Sequence, residues 1–133
     1  MERTNIKIEF NIFADFMDLN NVTKLMGINP TVSHLKGDFI RNKTLTWKET
    51  LWAIETPYVE TMDIEDVLLH VYGLIADKSK NVNEIKELYG AEVSIVFVVK
   101  VKNEDTPALS VNKDFIKFAG SIGARLDYLL YVY

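Results

Sequence analysis

Cysteine is missing altogether from the 133 residues, which excludes a disulfide framework, a thiolate metal site and a cysteine nucleophile together. No apolar run approaches the roughly 20 residues that a membrane-spanning helix needs, so no membrane association is expected. Met1-Glu2-Arg3-Thr4 leads straight into a strand pattern, without the basic segment and apolar stretch of a secretory signal. A cytoplasmic protein is the expectation. The six glycines are scattered singly, mostly after helix patterns, so no glycine-rich phosphate loop exists.

Basic residues are missing over one long stretch. From Glu49 to Asp77 there are seven acids (Glu49, Glu55, Glu60, Asp63, Glu65, Asp66, Asp77) and no Lys or Arg, whereas residues 1–48 carry seven bases against five acids. This acidic block argues against nucleic acid as a partner, because phosphate binding needs clustered Lys and Arg. It suits a basic protein surface, where opposite charge speeds encounter. A second explanation is local, since Asp63, Glu65 and Asp66 sit at a helix start, where acids interact favourably with the helix dipole. The net charge is −4.

What is present is a unit that occurs twice: an alternating strand, a polar turn, a capped amphipathic helix, a glycine and another strand. The first copy spans Ile6 to about Ile54. Ile6, Ile8, Phe10, Ile12 and Ala14 alternate with Lys7, Glu9 and Asn11, the period of a half-buried strand. Asp18 precedes a helix striped by Leu19, Val22, Leu25 and Met26, and Gly27 then Pro30 end it. Leu45 to Ile54 reads as the returning strand. The second copy opens with Val93, Ile95, Phe97, Val99 and Val101, apolar enough for a sheet centre. It continues with a helix capped by Asn112 or Ser110 and striped by Phe115, Phe118, Ala119 and Ile122. After Gly123 it closes with a strand from Ala124 to Tyr133. Between the copies lies a helical pair, one helix capped by Asp63 with Ile64, Val67, Leu68, Val71, Leu74 and Ile75 on one side, the other carrying Val82, Ile85, Leu88 and Tyr89 before Gly90.

The length fits one domain, residues 1–133, with a single core burying about two-thirds of the unfolded surface. The expected class is α+β: a ferredoxin-like sandwich of two β-α-β units with a helical pair inserted between them, on a mainly antiparallel sheet. Alternation groups Trp52, Ile54, Val96, Val98, Leu129, Tyr131 and Tyr133 on the sheet face away from the core helices. An apolar face of that kind needs a cover. The inserted helical pair is the expected one, and a homodimer through the free face stays open.

The two copies differ in one connection. Seventeen residues, Ile28 to Thr44, separate Gly27 from Leu45, and connections this long are usually functional or ordered for a reason. This one holds Gly27-Ile28-Asn29-Pro30-Thr31, Lys36-Gly37-Asp38 and the bases Arg41 and Lys43, ahead of Trp47. These segments in this order, with the Gly123-Ala124 helix end and the terminal aromatic strand, are similar to the bacterial domain-of-unknown-function family 4279. The resemblance covers nearly the whole chain. It implies a small cytoplasmic bacterial domain with no established activity, cofactor or catalytic residue, so it transfers no site.

No catalytic constellation emerges from the residues themselves. Ser110-Val111-Asn112-Lys113 has the spacing of a serine–lysine motif, but the accompanying Ser-Asp-Asn and Lys-Thr-Gly are absent. His34 and His70 are isolated, which supports neither a metal site nor any cofactor. An enzyme would have to use a dispersed set such as His34, Lys36 and Asp38. The sequence therefore points to a non-catalytic protein-binding module, of immunity type if its acidic surface blocks a basic partner. Its expected interaction residues are Trp52, Glu60, Glu65, Asp66, Tyr131 and Tyr133. The alternative is a dimeric small-ligand sensor.

Overall fold

The computed structural model describes residues 3–41 and 44–133; Met1, Glu2, Asn42 and Lys43 lie outside them. The elements in chain order are β1 (Asn5–Ala14), α1 (Leu19–Met26), β2 (Val32–His34), β3 (Thr50–Glu55), β4 (Val59–Glu60), α2 (Glu65–Ile75), α3 (Ser79–Tyr89), β5 (Glu92–Val101), α4 (Lys113–Ser121) and β6 (Arg125–Val132). The sheet has the order β2-β3-β1-β5-β6, with β4 against the start of β1. All pairs are antiparallel except β5 with β6. The fold is mixed α+β on one open, mostly antiparallel sheet.

The helix ends form where the sequence supplies caps. Asp18 Oδ1 accepts from the Asn20 and Asn21 amides, and Asn112 Oδ1 accepts from the Phe115 amide at 2.8 Å, each worth about 1 kcal/mol. Gly27 ends α1 at φ +73°, a left-handed cap that glycine adopts without a Cβ penalty. At α2 the side chain of Asp63, one position ahead of the N-cap residue Ile64, accepts from the Glu65 amide.

The connectivity differs from two repeated units with an insert. β1 and β2 run the same way, joined by α1, with β3 lying between them. β3 and β5 likewise share a direction, with β1 between them. The helical pair α2–α3 is thus part of the crossover from β3 to β5. Only β5-α4-β6 joins neighbouring parallel strands directly. The first unit departs from the second because its long connection lets the chain reverse once more, so that β2 and β3 form a hairpin where a single strand was expected.

The helical pair does not cover the far side of the sheet. Val67, Leu68, Val71 and Ile75 of α2, with Val82 and Ile85 of α3, share one buried core with Ile6, Ile8, Phe10 and Ile12 of β1 and with Phe115 and Phe118 of α4. Helices therefore pack on one face. Trp52 and Ile54 also belong to this core face, since Trp52 pairs with Ile12 and Ile54 with Phe10. Alternation had grouped them correctly with each other but on the wrong side, because period two says which residues share a face and only the pairing register says which face is buried.

Candidate functional site

The open face of the sheet is built from the alternates of the central strands that point away from the helices, a mixture of polar and apolar residues. β1 presents Lys7, Glu9, Asn11 and Phe13; β3 presents Leu51, Ala53 and Glu55; β5 presents Ser94, Val96, Val98 and Lys100. Glu9 stands directly opposite Glu55, an arrangement that costs stability when both are charged. Lys7 lies 3.0 Å from Glu9 and 3.4 Å from Glu55, so one ammonium is shared between two carboxylates. Partial burial lowers its pKa, but the hydrogen bond to Glu9 and the charges of Glu9, Glu55 and Tyr58 together outweigh this and raise it. One negative charge is left over.

A flap, described over residues 35–41 and 44–49, stands between β2 and β3 beside this face. Its first turn is set by Asp38, whose carboxylate accepts from the Leu35 amide at 2.9 Å, and by Gly37 at φ +90°. The rungs Trp47 N to Asp38 O at 2.9 Å and Ile40 N to Leu45 O at 2.7 Å make it a hairpin. Leu45 and Trp47 thus sit in the flap and not in β3, as their alternation suggested. The base is pinned to the sheet through Thr50, whose buried hydroxyl accepts from the Lys36 amide at 3.1 Å and donates to Asp15 O at 3.0 Å.

Flap and sheet enclose a cleft of about 560 Å³. Phe13, Ile40, Leu45, Trp47 and Leu51 supply apolar wall, and the acids Glu9, Glu49 and Glu55, the base Lys48, and Asn11, Thr46 and Ser94 supply polar groups. His34 stacks on Trp47 with ring centroids 3.9 Å apart and planes within 6°. A second hollow of about 350 Å³ shares Glu9 and is lined by Lys7, Tyr58, Val98, Lys100, Leu129, Tyr131 and Tyr133. There Lys100 lies 4.1 Å from the Tyr58 ring and Lys102 lies 3.5 Å from the Tyr133 ring. The open face is acidic at the flap end and basic with tyrosines at the other.

The six interaction residues expected from the sequence are not brought together. Trp52 is fully buried on the core face and donates to Thr23 Oγ1 at 2.9 Å, so its indole cannot meet a partner. Glu65 accepts from both nitrogens of Asn112, tying the start of α2 to the start of α4. Asp66 accepts from the Thr61 hydroxyl. Glu60 is exposed on β4, while Tyr131 and Tyr133 lie exposed at the basic end of the open face. The acidic block is therefore dispersed, and only Glu49 and Glu55 of it reach the cleft. Among His34, Lys36 and Asp38 no hydrogen bond forms, Lys36 pairing with Asp15 instead at 3.4 Å. Among the described residues no three His, Asp or Glu side chains could hold a metal ion, and no helix is long and apolar enough to cross a membrane.

Glu9 was not singled out in the sequence, although the Lys7-Glu9-Asn11 alternation marks it as facing away from the core. Its juxtaposition with Glu55 depends on strand register, which alternation does not supply.

A family profile described as a domain of unknown function, DUF4279, matches residues 4–133. The chain belongs to the DUF4279 family. No curated protein and no solved structure is significantly similar to it. The segments that carried the resemblance hold the flap in this DUF4279 chain. The Thr31 hydroxyl accepts from the Glu55 amide at 2.7 Å and donates to Ala53 O at 3.3 Å. Lys36-Gly37-Asp38 forms the first flap turn.

The flap of this DUF4279 domain should respond to pH through His34. Its Nδ1 is buried and has no hydrogen-bond partner among the described residues, so protonation would create a buried donor with nothing to donate to. Desolvation lowers its pKa from the ordinary 6.5, opposed by the charge of Asp38 and by Glu49. A group depressed in the folded state is protonated first in the unfolded one. Its contribution is complete above about pH 6.5 and is lost as pH falls below that value towards the folded pKa. An NMR titration should give His34 a midpoint under 6.5, with faster exchange of the Gly37 and Trp47 amides below it; a midpoint at or above the ordinary value would refute this.

Proposed function

We propose that the domain is a non-catalytic protein-binding module whose seat is the cleft between the flap and the open sheet face, and that it takes a basic side chain presented by a protein partner. The observation that carries this reading is the pair Glu9 and Glu55, directly opposed and sharing Lys7, in a cleft where Glu49 and Lys48 also stand and beside the Trp47–His34 stack. An arriving ammonium or guanidinium relieves the excess negative charge and gains a charge-assisted hydrogen bond and an aromatic neighbour. The basic, tyrosine-lined hollow next to it suits an acidic or polar residue further along the same partner. An immunity-type role, in which the domain occupies and blocks a basic surface, is the version that this charge pattern favours.

The strand order supports a further detail of the architecture. We read the order β2-β3-β1-β5, with each crossover straddling an opposed strand, as the split βαβ arrangement of a ferredoxin-like core, extended by α4 and β6.

Selection from a random peptide library on the immobilised domain tests the function. The recovered sequences are expected to be enriched in Lys or Arg flanked by apolar or aromatic residues, to bind less tightly as salt rises, and to lose at least about tenfold in affinity to a Glu55→Lys variant, a change of about 1.4 kcal/mol. Sequences without basic enrichment, or binding indifferent to Glu55→Lys, would overturn the proposal. A second reading, a small-ligand sensor, is favoured by the volume of the cleft, about 560 Å³, which falls in the range of small-molecule sites. A rise in melting temperature with small amines, and no peptide binding, would favour it.

A further inference from the structure

The last strand, β6, carries an interaction surface of its own. It pairs with β5 on one side and ends the sheet on the other, so one row of its backbone N–H and C=O groups faces outward along the eight residues Arg125–Val132. Proteins protect long edges with charge, proline, bulges or a covering element. None of these occurs from Tyr128 to Tyr133, where the sequence is Tyr-Leu-Leu-Tyr-Val-Tyr. Both faces of this stretch are open, with Leu129 45%, Leu130 54%, Tyr131 48% and Val132 74% exposed. The opposite edge is only the three-residue β2, beside which the flap stands.

We propose that β6 pairs antiparallel with β6 of a second copy of this chain, the two-fold axis passing at Leu129, so that two sheets become one. A row of unpaired backbone groups is matched by a strand, which a helix or a small molecule does not supply. The chain itself supplies a matching one. With Leu129 opposite Leu129 of the second copy, the strand pairs along its full length: Arg125 meets Tyr133, Leu126 meets Val132, Asp127 meets Tyr131 and Tyr128 meets Leu130. No like charges face each other. Arg125 and Asp127, paired with each other at 3.1 Å along the strand, would each stand opposite a tyrosine of the second copy, where the guanidinium can lie against a ring. Shifting the axis by two residues, to Asp127, would set two carboxylates against each other, which is unfavourable across a strand pair. Such an interface is isologous and closes on itself, which prevents the open-ended association an unprotected edge invites.

The absence of cysteine makes the test specific. The wild-type domain is expected to run in light scattering at twice the 15.3 kDa of one chain. Leu129→Cys should form an intermolecular disulfide on mild oxidation, because the residue faces itself across the axis. Tyr131→Cys, which faces Asp127 of the second copy, should link far less. Leu129→Arg opposes two guanidinium groups and should yield a folded monomer by circular dichroism. A single-chain mass at every attainable concentration would overturn the proposal, and so would a dimer in which Tyr131→Cys links and Leu129→Cys does not. Should Leu129→Arg fail to fold, the two cysteine variants still decide the register.

Discussion

Replacing Trp52 by alanine is expected to destabilise the domain by about 3–5 kcal/mol, the largest effect of any single truncation considered. Trp52 is fully buried among the residues that join sheet to helices, and its Nε1 donates to Thr23 Oγ1 on α1 at 2.9 Å. Truncation removes the apolar burial, leaves a cavity, and strips Thr23 of its partner, whose desolvation adds about 1–3 kcal/mol if no water replaces it. A domain of ordinary stability, about 5–15 kcal/mol, would lose a large part of its margin. Trp52→Phe keeps most of the ring and should cost much less. Urea unfolding of the three proteins measures both, and an alanine variant within about 1 kcal/mol of wild type would contradict a core role.

The two tryptophans show how far the sequence could be read. Both sit in an alternating stretch, Leu45 to Ile54, that has the period of one strand. The backbone pairs along only Thr50–Glu55 and spends the rest on a hairpin, because Asp38 and Gly37 turn the chain back on itself at a distance that local periodicity does not register. The caps at Asp18, Asn112 and Gly27 were legible, since a cap is a local contact between near neighbours. The amphipathic stripes of α2 and α3 were legible too, but a stripe states only that a helix needs cover. Which sheet face provides it depends on how β1 pairs on both sides, a property of the whole chain. The cleft follows the same rule. The connection from Ile28 to Thr44 stood out by its length, yet Glu9 and Glu55 are 46 residues apart and meet only through the β1–β3 register.

Trp47→Ala should produce the reverse of the Trp52 result, a large loss of binding with little loss of stability. Trp47 is 38% exposed and stands in the flap. Its main neighbour is the His34 ring, stacked at 3.9 Å, and its backbone rungs to Asp38 and Gly37 survive the substitution. Global unfolding in urea should therefore shift by under about 1 kcal/mol. Binding is another matter, because a tryptophan at the wall of a half-closed cleft is the side chain on which interface energy concentrates, at about 2 kcal/mol or more per residue. That corresponds to a loss of about 30-fold in affinity for the basic peptides recovered by selection. Trp47→Phe keeps an aromatic face for the cation and should recover most of the loss, whereas Trp47→Leu, apolar but without a π system, should not. Isothermal titration of the four proteins with one selected peptide separates these outcomes. Equal affinity for wild type and Trp47→Ala would place the ligand elsewhere than under the flap, and a leucine variant as good as phenylalanine would remove the cation from the account while leaving the cleft in it.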